Sequence, residues 1–319
     1  MSRRDEVLEA LRRAAGAAVS GEELARNLGV SRVAVGKHVA ALREAGYRID
    51  AVPGRGYALA GVPDAPLPAE VRMNLRSALW ERLEGGGVTA STNADVAALA
   101  RAGAPHGTAV LASRQTAGRG RLGRSWESPE GGVYVSGLLR PALPPSALTG
   151  LPLAIAVGVA GELGRFGVEA GVKWPNDLLV PGGKLAGVLL EISGEADRTE
   201  WVVVGVGVNV HRASHAVEGA AYLDDVAGPV GSAEAGAAVL DGIAAGYRLL
   251  TEEGFAAVRA AFTERDVLRG SQVRVADTAG GLIAGGRATG VDAEGRLLVE
   301  SADGRLLPVA AGDVTLARE

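Results

Sequence analysis

The sequence predicts an α+β chain of several modules, and three observations predict it. The first sixty residues read as short helices ending in a Gly/Pro hairpin. The middle alternates apolar strand-like runs with helical stretches. The tail holds only short strands between turns. At 319 residues the chain exceeds the roughly 250–300 at which a single core stops growing. The boundaries read as a head at 1–60, a spacer at 61–70, a central body at 71–268 and a tail at 269–319.

The head opens on a helix over residues 5–15 with Val7, Leu8 and Leu11 on one side. Ser20 followed by Glu23 reads as a capping box, and Gly29 ends that second helix. Ser31 caps a third, whose Val35, Val39 and Leu42 form an apolar stripe up to Gly46. Two helices across a tight turn make a helix-turn-helix. Its outward positions Val33, Lys37 and Ala40, with Arg32 at the helix start, combine small side chains for base edges with cations for phosphates. Tyr47–Leu59 reads as a wing with Arg55 at its tip. The head carries ten Lys and Arg against seven Asp and Glu, and the rest 23 against 30, a polarity that suits a head meeting DNA. The plainer alternative is a winged head used for protein contacts. Pro63, Pro66 and Pro68 make the spacer semi-stiff.

The chain has no cysteine, which excludes disulfides, thiolate nucleophiles and Cys-held zinc. The N-terminus lacks a signal peptide's apolar core, and Leu151–Ala160 is short of the ~20 residues that span a bilayer. A cytoplasmic location without membrane contact is expected.

In the body, strands are predicted at Ala109–Ala112, Val133–Leu139, Gly187–Ile192 and Trp201–Val208, and helices at Asn93–Ala102, Leu151–Phe166 and Glu234–Leu250. Gly118, Gly120 and Gly123 match a dinucleotide fingerprint formally. The Ser-Trp-Glu-Ser-Pro-Glu-Gly-Gly that follows forms no amphipathic helix, so that reading fails. What remains is a loop in which Arg119, Arg121 and Arg124 alternate with glycines. The glycines permit close approach, and the guanidiniums fork onto carboxylate or phosphate. Self-repulsion should leave it disordered until an anion binds; a solvated basic loop is the bland alternative. Lys173-Trp174-Pro175-Asn176-Asp177 and Gly182-Gly183-Lys184 place polar groups and a cation beside turns, though ordinary turn chemistry explains each alone. Ser91-Thr92-Asn93 starts a helix, and Gly205-Val206-Gly207-Val208-Asn209 ends a strand in an amide.

Together these segments, with Lys184-Leu185-Ala186-Gly187, resemble the biotin–protein ligase family in its two-function, repressor-bearing form. The resemblance implies a central mixed-sheet domain related to class II aminoacyl-tRNA synthetases and a C-terminal SH3-like β-barrel. It implies that biotin attacks the α-phosphate of ATP, that biotinyl-5′-AMP forms, and that a lysine of a carboxylase's biotin carrier domain takes the biotin. Lys184, Arg119 and Arg121 are then the catalytic cations. Ser91, Thr92, Asn93, Gln115, Gly118, Gly120 and Gly187 join them at biotin. Trp126, Lys173, Asn176 and Asn209, with Arg121 and Lys184, meet the nucleotide, and Asp177 has no assigned role. Mg2+ is expected to arrive with ATP, with no protein-held metal. Operator DNA would meet Arg32, Val33, Lys37, Ala40 and Arg55 on a homodimer promoted by biotinyl-AMP. A lipoate- or octanoate-handling ligase and a non-catalytic biotin-sensing regulator are the alternatives. In the tail, strands are expected at Gln272–Val275, Leu297–Glu300 and Leu306–Val309, with Asp303-Gly304 as a hairpin turn.

Overall fold

The structure, a computed structural model, describes residues 2–213, 217–277 and 279–316. It divides into two compact units, Met1–Ala65 and Pro66–Glu319.

The first unit holds α1 (Arg3–Arg13), α2 (Gly21–Leu28), α3 (Arg32–Glu44), β1 (Arg48–Val52) and β2 (Gly56–Gly61). Helix α1 starts two residues earlier than predicted because Ser2 and Asp5 cap each other reciprocally. Ser20 caps α2 through the Glu22 amide rather than Glu23, and left-handed Gly29 ends it. Ser31 caps α3 as expected, at 3.1 Å from the Ala34 amide. The predicted stripe is the core: Val7, Leu8, Leu11, Leu24, Val35, Val39 and Leu42 are all buried. β1 and β2 pair antiparallel as the wing, and Val19 and Tyr57 exchange backbone hydrogen bonds that tie the wing to the residues before α2.

The second unit begins with α4 (Pro68–Asn74). The ten-residue spacer is therefore shorter than expected: β2 runs to Gly61, and Pro68, with no N–H to satisfy, opens a helix instead of extending the chain. Next come β3 (Arg82–Gly85), β4 (Val88–Thr89), α5 (Thr92–Arg101), β5 (Thr108–Ala112), β6 (Arg114–Gln115), β7 (Gly132–Leu139) and α6 (Leu151–Leu163). They are followed by β8 (Gly171–Lys173), β9 (Asp177–Val180), β10 (Gly183–Gly194), β11 (Thr199–Asn209), α7 (Leu223–Ala227), α8 (Ser232–Arg248) and α9 (Phe255–Thr263). A seven-stranded mixed sheet runs β3-β5-β7-β11-β10-β9-β8, parallel only between β3 and β5.

The strands alternate in the way two covered faces require. Leu111, Val133, Val135, Leu139, Val202 and Val204 join the cluster under α6 and α8, whereas Val110, Leu138 and Val203 pack with Val96, Ala97 and Ala100 of α5. Helices α6 and α8 cross closely because glycines meet: a Cβ on Gly242 would lie 2.5 Å from the Cα of Val159. With its flanking turns the apolar stretch runs Pro145–Phe166, 22 residues, longer than the sequence reading allowed and long enough for a bilayer. Its apolar side chains, Leu151 to Leu163, are instead packed in the core.

The tail forms β12 (Gln272–Ala276), β13 (Leu282–Val291), β14 (Leu297–Glu300), β15 (Leu306–Val309) and β16 (Asp313–Leu316), ordered β15-β14-β13-β12-β16 and antiparallel throughout. Gly304, at φ 78°, makes the predicted turn. Trp174 donates to the Gly295 carbonyl at 3.0 Å, which fixes the Lys173–Asp177 turn to the tail.

Candidate active site

The floor of the site is a pair of glycines. β10 and β11 run antiparallel with Gly187 opposite Gly207. A Cβ on either would come within 3 Å of the Trp126 ring, so the glycines let the indole lie flat on the sheet. Lys184, from the start of β10, puts its Nζ 4.7 Å from that ring's centre and 2.7 Å from Asp177 Oδ1. The ammonium is thus held between a carboxylate and a π face. This contact gives Asp177 a place beside Lys184.

One wall is a polar network at the start of α5. Ser136, fully buried on β7, sits 2.7 Å from Thr92 Oγ1 and 2.6 Å from Asn93 Oδ1, with one proton to share. Gln115 accepts from the Thr92 amide at 2.9 Å and donates to Ser128 at 2.9 Å. Asn93 donates to Glu191 at 3.1 Å. Such closed networks hold side chains at fixed angles around a cavity. Ser91 occupies the N-cap position, but its hydroxyl makes no capping bond, and the residue lines the cleft. Tyr134 donates to the Pro129 carbonyl at 2.8 Å, and burial pushes its hydroxyl pKa far up, which keeps it a donor.

The glycine–arginine loop is the roof. Residues 118–126 form a small hairpin: Trp126 N–H donates to Gly118 at 3.0 Å and Gly120 N–H to Arg124 at 2.8 Å. Each guanidinium has a different partner. Arg121 donates to Asn176 at 3.2 Å, Arg119 lies 3.9 Å from Glu191, and Arg124 pairs with Asp313 of β16. Arg124's hydrogen bond holds the Asp313 carboxyl below the usual carboxylate range. Burial lowers the Arg121 pKa, with Asp177 and Asp313 pulling the other way; a guanidinium so placed stays charged at neutral pH. At the tip Leu122 adopts φ 57° and stays exposed, a backbone state costing about 1–2 kcal/mol for a residue with a Cβ.

One cleft, with room for about 130 Å³ of solvent, collects Ser91, Thr92, Asn93, Gln115, Arg119, Gly120, Arg121, Trp126, Asn176, Lys184 and Gly187. Three predicted site residues do not line it. Gly118 lies beneath, where any Cβ would meet Ser128 and the Trp126 carbonyl. Lys173 ends β8 outside the cleft lining and acts on Asp313 through its charge. Asn209 donates to the Lys184 carbonyl at 3.0 Å, so its amide is spent on holding the lysine's backbone rather than facing the opening. The sequence reading missed Ser136, Glu191 and Asp313. Ser136 and Glu191 each left a signal, as a polar residue inside an apolar strand.

On the head, Arg32, Val33, Lys37, Ala40 and Arg55 are all exposed, with Val33 at 71%. Buried Val35 and Val39 turn the opposite face of α3 inward.

The Biotin/lipoate A/B protein ligase family matches residues 85–209, a helix-turn-helix (HTH) domain matches 3–58, and the Biotin protein ligase C terminal domain matches 269–316. A bifunctional ligase/repressor, BirA, of Bacillus spizizenii is 39% identical over 214 residues, 66% of this chain and 66% of that protein. The matched part of the chain thus spans just under two thirds of that relative. The biotin–[acetyl-CoA-carboxylase] ligase of Paracoccus denitrificans is 37% identical over 195 residues, 58% of this chain and 81% of that enzyme. The biotin protein ligase of Aquifex aeolicus in complex with biotin and ATP superposes with a TM-score of 0.64 at 29% identity, covering 75% of this chain and all of the other. The glycine floor, the arginine roof and Lys184 lie within the 85–209 match, and the chain belongs to the biotin–protein ligase family, with a helix-turn-helix head.

Proposed function

We propose that the chain joins biotin to ATP and passes biotin to a lysine of a biotin carrier domain. The observation that carries this is convergence: Arg119, Arg121 and Lys184, from two separate segments, line one cleft. The chemistry needs that. A carboxylate and a triphosphate repel each other, and fixed cations both gather them and hold the charge developing at phosphorus. A biotin carboxylate oxygen forms the new P–O bond at the α-phosphate, and pyrophosphate leaves with the broken one. The carrier lysine's amine then attacks the acyl carbon, and AMP leaves.

The residues fit both substrates. Trp126 Nε1 is buried without a hydrogen-bond partner, a donor that a ligand acceptor would satisfy. The Ser91–Gln115 wall offers hydroxyls and amides to biotin's polar ring, and Asn176 stands on the nucleotide side beside Arg121. Asp177 pairs with Lys184 and Asn176 with Arg121, and the biotin carboxylate and the phosphate are the anions those cations would take up. The roof closes over the bound substrates to keep water from the anhydride. Magnesium comes with ATP, held mainly by phosphates. The central sheet is read as related to class II aminoacyl-tRNA synthetases and the tail as an SH3-like barrel whose Asp313 reaches the roof through Arg124.

Incubation with biotin, MgATP and a purified carrier domain tests the reading. Covalent biotin on the carrier's lysine is expected. No label on the carrier contradicts it, and label from lipoate alone favours the lipoate-handling alternative.

The exposed face of α3 supports a second role, as a cytoplasmic repressor whose two heads bind operator DNA in a biotinyl-AMP-promoted homodimer. A ligand that favours the dimer favours two-headed DNA contact by linkage. Sedimentation is expected to shift from monomer towards dimer when biotin and MgATP are added together. An unchanged balance rejects this part.

A further inference from the structure

The backbone of Lys184 is held by a segment that the proposed chemistry does not otherwise use. Lys184 N–H donates to the Gly219 carbonyl at 2.8 Å, and the Ala221 N–H donates back to the Lys184 carbonyl at 3.0 Å. The lysine is thereby strand-paired with Ala220. Gly183 packs so tightly on the Gly219 carbonyl that no side chain fits between them. Within this segment, residues 219–221 lie between the end of β11 and α7.

At its base stand three residues in line. His211 Nδ1 is 2.7 Å from Asp224 Oδ2, and His211 Nε2 is 3.2 Å from Ser232 Oγ. A carboxylate only accepts, so Nδ1 carries the proton. With the ring neutral, Nε2 accepts from the Ser232 hydroxyl. Asp224 also accepts from the Val230 amide at 3.2 Å, and its own N–H donates to Val210 at 3.1 Å. Arg212, paired with Asp225 at 2.9 Å and stacked over Tyr222, makes a second tie across the same base.

The order Asp–His–Ser invites a nucleophile reading, which the surroundings oppose. Ser232 is 4% exposed in the first turn of α8, and none of the three lines the cleft. A nucleophile needs an approach path for its substrate; a strut needs none.

We infer that His211, with Asp224 and Ser232, is a positioning residue that clamps the base of this segment, so that residues 219–221 fix the Lys184 backbone for adenylation. The inference rests on the reading of Lys184 as the adenylating lysine. A histidine suits the post because each of its two ring nitrogens reaches a partner, joining the end of β11 to both α7 and α8.

The test uses the full chain with His211→Phe, which removes both bonds, and His211→Asn, which keeps a donor towards Asp224. Three measurements are made: amide hydrogen exchange, biotin binding by calorimetry, and biotin-dependent ATP–pyrophosphate exchange. In His211→Phe, exchange in residues 183–186 is expected to rise about tenfold, with the rest of β10 and β11 unchanged. The adenylation kcat is expected to fall about 10- to 100-fold while biotin affinity stays within about twofold. His211→Asn is expected to recover part of both. Unchanged exchange at 183–186, or protection lost evenly along β10 and β11, overturns the inference. Asp224→Ala, which removes the acceptor for His211, carries the same expectation if His211→Phe does not fold. If the unsubstituted chain makes no adenylate, the ligase reading fails separately, and the hydrogen-exchange comparison still decides whether the clamp exists.

Discussion

Lys184→Ala is expected to cut biotin-dependent adenylate formation by at least about 10²–10³-fold, the usual cost of removing one fixed group from a developing charge, while leaving the unliganded fold intact. The side chain is about a third exposed and contributes nothing to the core; its contacts are Asp177 at 2.7 Å and the Trp126 face. Its loss leaves a partly solvated carboxylate behind, which costs little. The backbone contacts of residue 184 to Gly219, Ala221 and Asn209 do not depend on the side chain. Pyrophosphate exchange together with thermal melting separates the two effects. Turnover like that of the unsubstituted chain refutes the role given to this lysine.

The largest effect on stability is expected at Asp241, which no part of the chemistry uses. Its carboxylate is 5% exposed in the middle of α8. It accepts from the Arg76 amide at 3.1 Å, from the Ser77 amide at 2.8 Å and from Arg165 at 3.1 Å. The same helix holds the neighbouring chain a second time, through the Trp80 indole donating to Leu240 at 2.8 Å. Asp241→Ala strands two backbone donors and a largely buried guanidinium together. Removing one partner of such a buried pair costs about 3–5 kcal/mol. Urea unfolding at constant m-value measures it. A change under about 1 kcal/mol would mean that water or Glu162, 3.6 Å from Arg165, replaces the lost partner.

Periodicity made the regular elements legible. The stripe of Val35, Val39 and Leu42 and the apolar runs at 133–139 and 201–208 fixed which faces turn inward, because burial imposes a repeat of 3.6 or 2. Where glycine interrupts the repeat the reading failed. β13 contains Gly285, Gly286 and Gly290 and gave no alternation to find. Helix α4 was hidden by its own Pro68, read as part of an extended spacer although a proline at the first helical position is favourable. In the site, most residues carried by distinctive strings fell together in the cleft, Gly118, Lys173 and Asn209 excepted. Those that depend on long-range pairing did not announce themselves: Asp313 meets Arg124 across 189 residues of chain, and no local pattern encodes that contact. Asn209 illustrates the opposite error. Its position at a strand end suggested an exposed amide, but the strand pairing turns it onto the Lys184 carbonyl instead.

The most direct test of convergence is to incubate the purified chain with biotin and MgATP, without any carrier, and analyse the protein-bound fraction by mass spectrometry. The account predicts biotinyl-5′-AMP retained in the cleft, with pyrophosphate released in equal amount. Biotin and ATP recovered unreacted, under conditions where both bind, would contradict it.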